Sequence, residues 1–454
     1  RLQFGRAGLL SAAVVDTQSN VIRHLAADSL TSGESMRPWD GRNDANVTVV
    51  DGEYRFKVRV VDPAQSTNIE DLDLPVVVDN SPPAVTFIAP AGAYSNGRGP
   101  LALDLVEPHL QALTASSTPA MPGFRTQVDH AGSVSLAELD AVPEGDYRID
   151  LIADDRAGNR RNFSHSFVLD RTSPVVSISV PAASAVVSRV NGPIAVRGSA
   201  TDSHLSFWKL RVVNLSSETS QIIATSDPAV SGPVQANWDG AGVDGDYRIE
   251  LEATDLAGNR SLQSVTVALD NTPPTARIDL PLASAGVGAS WSLSGTADDA
   301  HFQAYVVDIA VSAPSPTWNR IAGDDHAVVS GTLSSVISPA PDGQYIVRLR
   351  VTDEAGLSSE AFRDVQVDTV PPASPLSLSA QRAGTHDVRL NWGATSAPDV
   401  HHYRIYRDGA TLLDTAGLAT THLDTALADG RYRYRVAAVD RAGNLSLPSP
   451  EAAV

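Results

Sequence analysis

A short motif that recurs five times sets the size of the folding unit in this 454-residue chain. It consists of an acidic residue, a glycine, a variable residue and a tyrosine, and its tyrosines are Tyr54, Tyr147, Tyr247, Tyr345 and Tyr432. Successive tyrosines lie 93, 100, 98 and 87 residues apart. A repeat of this length is typical of a small β module and not of one large core, so the chain is predicted to contain five modules.

The residues that follow each tyrosine alternate between apolar and polar. After Tyr247, for example, Ile249, Leu251 and Ala253 occupy one face of the predicted strand. This period of two predicts a strand that is buried on one side. A turn of the form Asp-x-Ala-Gly-Asn comes next, because glycine and asparagine tolerate the positive φ that a chain reversal needs. It occurs at residues 155–159, 255–259 and 440–444, and at 353–357 with leucine in place of asparagine.

An aspartate followed within four residues by proline ends the next strand in four places. These segments, at residues 79–83, 170–174, 270–274 and 368–372, are predicted to be joints, since proline cannot donate a hydrogen bond within a sheet. Short proline-containing linkers favour an end-to-end arrangement, so the predicted fold is an all-β tandem array in the form of an elongated rod. The predicted modules are 1–80 (complete or truncated), 81–171, 172–271, 272–369 and 370–454.

The strand, turn, strand and proline pattern resembles the bacterial immunoglobulin-like repeats of surface adhesins and of stalk regions in secreted proteins. The resemblance covers residues 84–368 and implies that these modules are two-sheet β-sandwiches. In the first module, the segment Trp39-Asp40-Gly41-Arg42 and the motif at residues 49–54 resemble the immunoglobulin-like module of the flagellar hook-capping protein.

The last module is similar to a fibronectin type III domain. The resemblance rests on Trp392 at the end of residues 388–392, on residues 403–406 and on Tyr432. It implies that Trp392 is the core tryptophan. It also implies that the ring of Tyr432 packs inside while its hydroxyl bonds to the upstream backbone, an arrangement called a tyrosine corner.

Composition narrows the partners and the chemistry. The chain has 34 basic and 53 acidic residues, a net charge of −19 that repels nucleic acids and anionic membranes. It has no cysteine, which excludes disulfides, zinc-thiolate sites and cysteine nucleophiles. No apolar run reaches the roughly 18 residues of a membrane span. The resemblance to adhesin repeats implies an extracellular or cell-surface protein with a protein or glycan partner, and self-association through sheet edges is an open alternative.

The repeated aspartates are predicted to converge at the joints. In an immunoglobulin-like sandwich, the incoming linker lies beside the loop between the second and third strands and beside the last turn. Carboxylates that converge without a basic partner repel one another, and a hard cation with oxygen ligands would stabilise them, so Ca²⁺ is the candidate cofactor. The predicted sets at the first to fourth joints are Asp79, Glu107 and Asp155; Asp170, Asp202 and Asp255; Asp270, Asp298 or Asp299, and Asp353; and Asp368, Asp399 and Asp440.

The same aspartates have a second interpretation, as turn formers whose carboxylates accept local backbone N–H groups. The sequence leaves both interpretations open. The pair His401-His402 consists of residues that bind transition metals, but neighbours on a strand point to opposite faces, so the two imidazoles are predicted to diverge.

No set of residues supplies a nucleophile, a base and an orienting group together, so no enzymatic activity is predicted. The leading hypothesis is a structural spacer or stalk of the adhesin type, which projects a binding or effector domain from a bacterial surface protein. The second is an accessory region of a large secreted enzyme or of a YD-repeat polymorphic toxin, whose active domain lies outside this sequence. The third is that one module binds a glycan or a protein directly.

Overall fold

The computed structural model describes residues 2–338 and 341–454. In these ranges the chain forms strands and turns, and its one helix is the short 3-10 segment Leu139–Ala141. A search of the same ranges finds no helix with the length and apolarity to cross a membrane. The predicted all-β fold is confirmed.

The first module is one four-stranded antiparallel sheet. Its strands are β1 (Leu2–Asp16), β2 (Val21–Ser35), β3 (Gly52–Asp62) and β4 (Gln65–Val78), in the order β2-β1-β3-β4. Over residues 2–78 the structure describes no second sheet, so a two-sheet sandwich is not seen within these residues. Residues 36–51, between β2 and β3, form turns and one isolated bridge from Arg42 to Thr48, and they add no strand to a second sheet. The resemblance to the hook-capping module stays a prediction.

The second, third and fourth modules each pair a three-stranded sheet with a five-stranded sheet. The second module contains β5 (Ala84–Ala89), β6 (Tyr94–Ser95), β7 (Pro100–Val106), β8 (Leu110–Thr118), β9 (Gln127–Val128), β10 (Gly132–Glu138), β11 (Gly145–Asp155) and β12 (Arg160–Leu169). The third contains β13 (Val175–Val180), β14 (Val186–Val187), β15 (Ile194–Thr201), β16 (Leu205–Asn214), β17 (Ser220–Ser226), β18 (Gly232–Trp238), β19 (Gly245–Asp255) and β20 (Arg260–Leu269). The fourth contains β21 (Thr275–Leu280), β22 (Ala285–Val287), β23 (Ser290–Asp298), β24 (Phe302–Val311), β25 (Asn319–Asp324), β26 (Val328–Ile337), β27 (Gly343–Asp353) and β28 (Ser358–Val367).

These three modules share one topology. Their sheet orders are β10-β7-β5 with β6-β12-β11-β8-β9, β13-β15-β18 with β14-β20-β19-β16-β17, and β21-β23-β26 with β22-β28-β27-β24-β25. In each, a short strand near the module's start (β6, β14 or β22) pairs in parallel with the module's last strand. The first part of each module therefore crosses from one sheet to the other. It comes to lie beside the segment that leaves the module.

The alternation predicted from the sequence places the core between the two sheets. In β19, Tyr247, Ile249, Leu251 and Ala253 are all buried, and Ile249 and Leu251 have no exposed surface. They pack against Trp238 of the facing three-stranded sheet in one apolar cluster. The predicted half-buried strand is confirmed.

The repeated tyrosine forms the same hydrogen bond in every module. Its hydroxyl donates to the backbone carbonyl four residues earlier, at 2.8 to 2.9 Å. The five bonds are Tyr54 to Val50, Tyr147 to Pro143, Tyr247 to Val243, Tyr345 to Pro341 and Tyr432 to Ala428. The hydroxyl bond predicted for the last module is thus present in all five.

The fifth module pairs a three-stranded sheet with a four-stranded sheet. Its strands are β29 (Ser379–Arg382), β30 (Val388–Asn391), β31 (Val400–Arg407), β32 (Ala410–Asp414), β33 (Thr421–Asp424), β34 (Arg433–Asp440) and β35 (Ala452–Ala453), in the orders β29-β30-β33 and β32-β31-β34-β35. Trp392 is buried edge-on against Tyr403, as predicted for the core tryptophan. The ring of Tyr432 is only half-buried, and the fully buried ring is that of Tyr434.

No strand of one module pairs with a strand of another in the described ranges. The joints are therefore made by linkers, loops and turns. The boundaries of the modules and the rod shape stay predictions.

Candidate cation sites at the module joints

Each joint begins with an aspartate that forms a turn. One carboxylate oxygen of Asp79, Asp170, Asp270 and Asp368 accepts the backbone N–H two residues later, at 3.0 to 3.2 Å. At the last three joints the aspartate's own N–H donates to the short crossing strand of the module it leaves, at 2.9 to 3.0 Å. Oδ1 of these residues therefore forms the turn, as the second interpretation of the aspartates predicts. Oδ2 takes no part in that hydrogen bond.

The aspartate of the last turn is held more completely. At Asp155, Oδ1 accepts the N–H groups of Ala157 and Asn159 at 2.8 Å, and Oδ2 accepts the Asn159 side-chain amide at 2.7 Å. Asp255 and Asp440 make the equivalent bonds with Asn259 and Asn444. Both oxygens of these three carboxylates therefore accept hydrogen bonds inside the turn.

The asparagine of that turn also crosses the joint. Its Nδ2 donates to the backbone carbonyl of the preceding linker aspartate at 2.8 to 2.9 Å. The three pairs are Asn159 with Asp79, Asn259 with Asp170, and Asn444 with Asp368. In the sequence these asparagines were assigned only to chain reversal, and their role between modules appears once the turn lies beside the linker.

A histidine that the sequence analysis missed completes the first three joints. In the loop after the second long strand, Glu107, Asp202 and Asp299 each accept the N–H of a histidine two residues later, at 2.7 to 2.8 Å. These histidines place Nδ1 near Oδ2 of the linker aspartate: His109 3.4 Å from Asp79, His204 2.9 Å from Asp170, and His301 2.8 Å from Asp270. The available signal was an acid-x-His spacing at the same place in three modules.

The structure brings most of the predicted residues together in sets whose ligand atoms lie within 4.8 Å of one another. The sets are Asp79, Glu107 and His109; Asp170, Asp202 and His204; Asp270, Asp299 and His301; and Asp368, Asp399 and Asp440. Asp299 occupies the position, and Asp298 does not. Asp298 is the last residue of β23 and pairs with Thr275 in the sheet, so the next residue is the first one free to turn into the joint.

The third joint departs from the others at its last turn, because Leu357 replaces the asparagine. Asp353 Oδ1 still accepts the N–H of Leu357 at 2.8 Å. In the described part of the protein, Asp353 Oδ2 has no hydrogen-bond partner, although the residue has no exposed surface. Burial raises the pKa of Asp353, and the negative charges of Asp270 and Asp299 raise it further.

At two other joints, burial and neighbouring negative charges also raise the pKa of a carboxylate. Burial is the main cause that raises the pKa of Asp202; the bond from the His204 N–H opposes it, the charges of Asp170 and Asp255 add to it, and the net shift is upward. At the fourth joint burial raises the pKa of Asp368, and the nearby charges of Asp440 and Asp399 add to it. A bound cation would favour the charged form in each case.

The fourth joint has carboxylates alone. The carbonyl of Asp399 accepts the N–H of Arg441, the residue after the last-turn aspartate, at 3.0 Å. The carbonyls of His109, His204 and His301 accept from the equivalent residues of the other three turns. Asp399 therefore stands where the first three joints have histidine. The fourth joint offers oxygen ligands, and the first three offer oxygen and imidazole nitrogen.

Two histidine clusters lie away from the joints. His326 contacts Asp324 and Asp325 at 2.8 Å in the exposed loop between β25 and β26. His401 and His402 bring their Nδ1 atoms to 3.0 Å, whereas the sequence predicted that their rings diverge. The correction has a local cause, since the pairing of β31 with β34 shifts register between Val400 and His402 and breaks the strict alternation of side chains.

Residues 136–217 match the model of a family described as "Bacterial Ig-like domain (group 3)". The matched segment starts in β10, ends just after β16 and includes the second joint. The predicted resemblance to bacterial immunoglobulin-like repeats is confirmed.

Similar sequences and structures cover parts of longer proteins. Chitinase A1 of Niallia circulans is 30% identical over 130 residues, which are 27% of this chain and 18% of that protein. Exoglucanase B of Cellulomonas fimi is 39% identical over 224 residues, which are 45% of this chain and 19% of that protein. The chain thus spans less than a fifth of these relatives. A solved Ca²⁺-stabilized adhesin that helps an Antarctic bacterium bind ice is 16% identical, with a TM-score of 0.31 over 82% of this chain and 98% of that one.

Proposed function

We propose that this chain is a non-catalytic spacer in an extracellular bacterial protein, which holds a binding or effector domain at a distance from the surface that carries it. The observation that carries the proposal is the hydrogen bond from the last-turn asparagine to the preceding linker carbonyl. It occurs at three of the four joints, at 2.8 to 2.9 Å. A linker between independent modules needs no such bond, whereas a spacer needs its modules held in fixed orientations.

The second and third joints hold their linker aspartate from both sides. The N–H of Asp170 donates to Ser95 in the module behind, its carbonyl accepts from Asn259 in the module ahead, and its Oδ2 meets His204. Tyr94 of the module behind also packs against the His204 ring, with centroids 5.3 Å apart. Hydrogen bonds of this kind contribute about 0.5 to 1.5 kcal/mol each, so several together restrict bending at a joint.

We propose Ca²⁺ as a stabilising ion of the fourth joint. Asp368, Asp399 and Asp440 supply oxygen atoms alone, which is the ligand preference of Ca²⁺. The ion would supply the positive charge that these three carboxylates lack. The Ca²⁺ expectation for the first three joints stays a prediction, because imidazole replaces one oxygen donor there.

A second candidate function is an accessory region in a secreted polysaccharide-degrading enzyme. The similarity to stretches of a chitinase and an exoglucanase favours it. Direct sugar binding by these modules has less support, because Trp238 and Trp392 are buried and the other four tryptophans are at least half-covered. Co-sedimentation of the chain with chitin and with cellulose tests this candidate, and retention on either polymer would favour it over a spacer without a ligand.

The test of the spacer is the width of the distance distribution across a joint. Since the chain has no cysteine, Thr118→Cys with Glu218→Cys places two spin labels at exposed positions on either side of the second joint. We expect one narrow distance distribution by pulsed dipolar spectroscopy. Asn259→Ala should broaden it, because the bond to the Asp170 carbonyl is lost.

Asn237→Ala is the matched control, since Asn237 is exposed on β18 away from the joint and should leave the distribution unchanged. A broad distribution in the unmodified sequence would overturn the proposal, because freely jointed modules do not hold a distance. So would an Asn259→Ala distribution as narrow as the control.

A further inference from the structure

The third joint contains a buried oxygen that the fold leaves unsatisfied. In the described part of the chain, Asp353 Oδ2 accepts no hydrogen bond and has no solvent to replace one. The cause is a single residue, because Leu357 stands where the other three turns have an asparagine that donates to this oxygen at 2.7 to 2.9 Å. Buried carboxylate oxygens are normally satisfied by hydrogen bonds or by a metal ion.

The turn that holds Asp353 lies against a loop that carries metal ligands, since the N–H of Glu354 donates to the His301 carbonyl at 2.8 Å. Asp270, 3% exposed, brings Oδ2 to 2.8 Å from His301 Nδ1, and Asp299 completes a set whose ligand atoms lie within 4.8 Å of one another. Asp270 and Asp299 are also the charges that act on Asp353. No arginine or lysine forms an ion pair with these carboxylates in the described ranges. The joint therefore gathers three carboxylates and one imidazole without a cation.

We propose that the third joint binds a divalent transition-metal ion of the zinc class, held by His301 and by carboxylate oxygens of Asp270, Asp299 and Asp353. One imidazole nitrogen with carboxylate oxygens in a four-ligand set suits Zn²⁺, whereas Ca²⁺ takes six to eight oxygens. The ion would replace the hydrogen bond between His301 and Asp270 and would give Asp353 Oδ2 its missing partner. It would join the linker, the loop and the last turn at a joint that has no asparagine bond across it.

The second joint is an internal control with the same acid and histidine residues. There Asn259 donates to Asp255 Oδ2 at 2.8 Å, so that oxygen has a hydrogen-bond partner without a metal ion. The inference predicts that the two joints differ in metal affinity because of one residue in the last turn. It is independent of Ca²⁺ at the fourth joint and of the spacer proposal.

The test titrates Zn²⁺ into the full chain, freed of metal with EDTA, against a chromogenic chelator. We expect one equivalent that binds more tightly than all others. His301→Gln and Asp353→Asn should each abolish this equivalent. Leu357→Asn keeps all four ligands but supplies the donor found in the other turns, and it should weaken the tight site about tenfold or more.

Two further variants make the test specific. Asn259→Leu frees Asp255 Oδ2 and should create a second tight equivalent at the second joint. His326→Gln removes the exposed cluster in the loop between β25 and β26 and should leave the tight equivalent unchanged. Co²⁺ in place of Zn²⁺ gives visible absorption bands that report the ligands, and His301→Gln should alter them.

Circular dichroism in EDTA establishes that each variant is folded before its affinity is interpreted. The proposal is overturned if the unmodified chain has no tight equivalent, or if His301→Gln keeps it. It is also overturned if millimolar Ca²⁺ displaces stoichiometric Zn²⁺, because the site would then be an oxygen site.

Discussion

At the scale of single residues, one hydroxyl bond is repeated five times. Each motif tyrosine closes the loop before its own strand by donating to the carbonyl four residues earlier. The same loop explains the glycine two residues before the tyrosine, since it takes a φ between +145° and +156° in four of the five modules. Few other residues adopt that backbone conformation without strain.

Tyr247→Phe is expected to lower the free energy of opening of the third module by about 0.5 to 1.5 kcal/mol, because the ring stays buried while its hydrogen bond is lost. Hydrogen exchange followed by mass spectrometry measures this in peptides from β19 and β20. Tyr147→Phe is the matched control and should affect β11 and β12 instead. Equal protection in the Tyr247→Phe variant and the unmodified chain would contradict the expectation.

Glu250 is a buried carboxylate that depends on two arginines. Burial raises its pKa, but hydrogen bonds from Arg211 and Arg248 outweigh burial, and the net shift is downward from 4.5. A depressed pKa in the folded state means that stability is present above pH 4.5 and is lost as the pH falls through the folded-state value.

Glu250→Gln should therefore lower the opening free energy of the third module by about 1.5 to 3 kcal/mol at pH 7. The difference should shrink as the pH falls below 4.5, where the native carboxylate also becomes protonated. Exchange protection of β19 at several pH values measures it. Glu218→Gln, at an exposed turn, is the control, and a pH-independent difference would show that charge is not the cause.

At the scale of elements, the last turn belongs to two structures at once. Within its module it reverses the chain between the last two strands, and across the joint it supports the preceding linker. At the fourth joint the contact is tight, because a Cβ on Gly286 of β22 would lie 3.1 Å from the carbonyl carbon and oxygen of Arg441. The backbones of adjacent modules touch at this position.

Gly286→Ala is expected to push the fourth and fifth modules apart, since backbone atoms cannot yield as a flexible side chain does. Spin labels at Ser312→Cys and Thr411→Cys, both exposed, report the change as a longer mean distance or a broader distribution. Gly92→Ala is the control, because its Cβ would meet no atom within 4 Å. An unchanged distribution would show that this contact does not set the joint.

At the scale of the whole molecule, similar modules are joined by joints of different chemistry. The first three joints contain histidine, the fourth has Asp399 in its place, and the third alone lacks the crossing asparagine. If the proposed ions bind, one tandem array would respond to more than one ion. The stiffness of each joint would then depend on which ions are present as well as on the sequence of the modules.

Ca²⁺ is expected to raise the melting temperature of the fifth module by several degrees. Binding at a hundredfold excess over the dissociation constant adds about 2.7 kcal/mol to the folded state. Calorimetry of the full chain in EDTA and then in millimolar Ca²⁺ measures it. Asp399→His converts the joint to the donor set of the others and should remove the effect, whereas the exposed Asp429→Asn should not. Equal melting in EDTA and Ca²⁺ would contradict Ca²⁺ at this joint.

The sequence by itself determined the period of the modules, the alternating strands and the position of the joints. These depend on local rules: side chains alternate along a strand, glycine and asparagine reverse the chain, and proline ends pairing. The carboxylates at the joints were also predictable, because sandwich topology brings linker, loop and last turn to one end.

Only the tertiary structure decided which carboxylates keep a free oxygen. Asp155 and Asp353 occupy the same place in the same turn, but Asn159 satisfies the first and Leu357 leaves the second unpaired. The histidines became part of the joints for the same reason, since their rings meet aspartates 30 or more residues away in the chain. Hydrogen-bond satisfaction depends on distances between segments, and a local sequence pattern does not contain those distances.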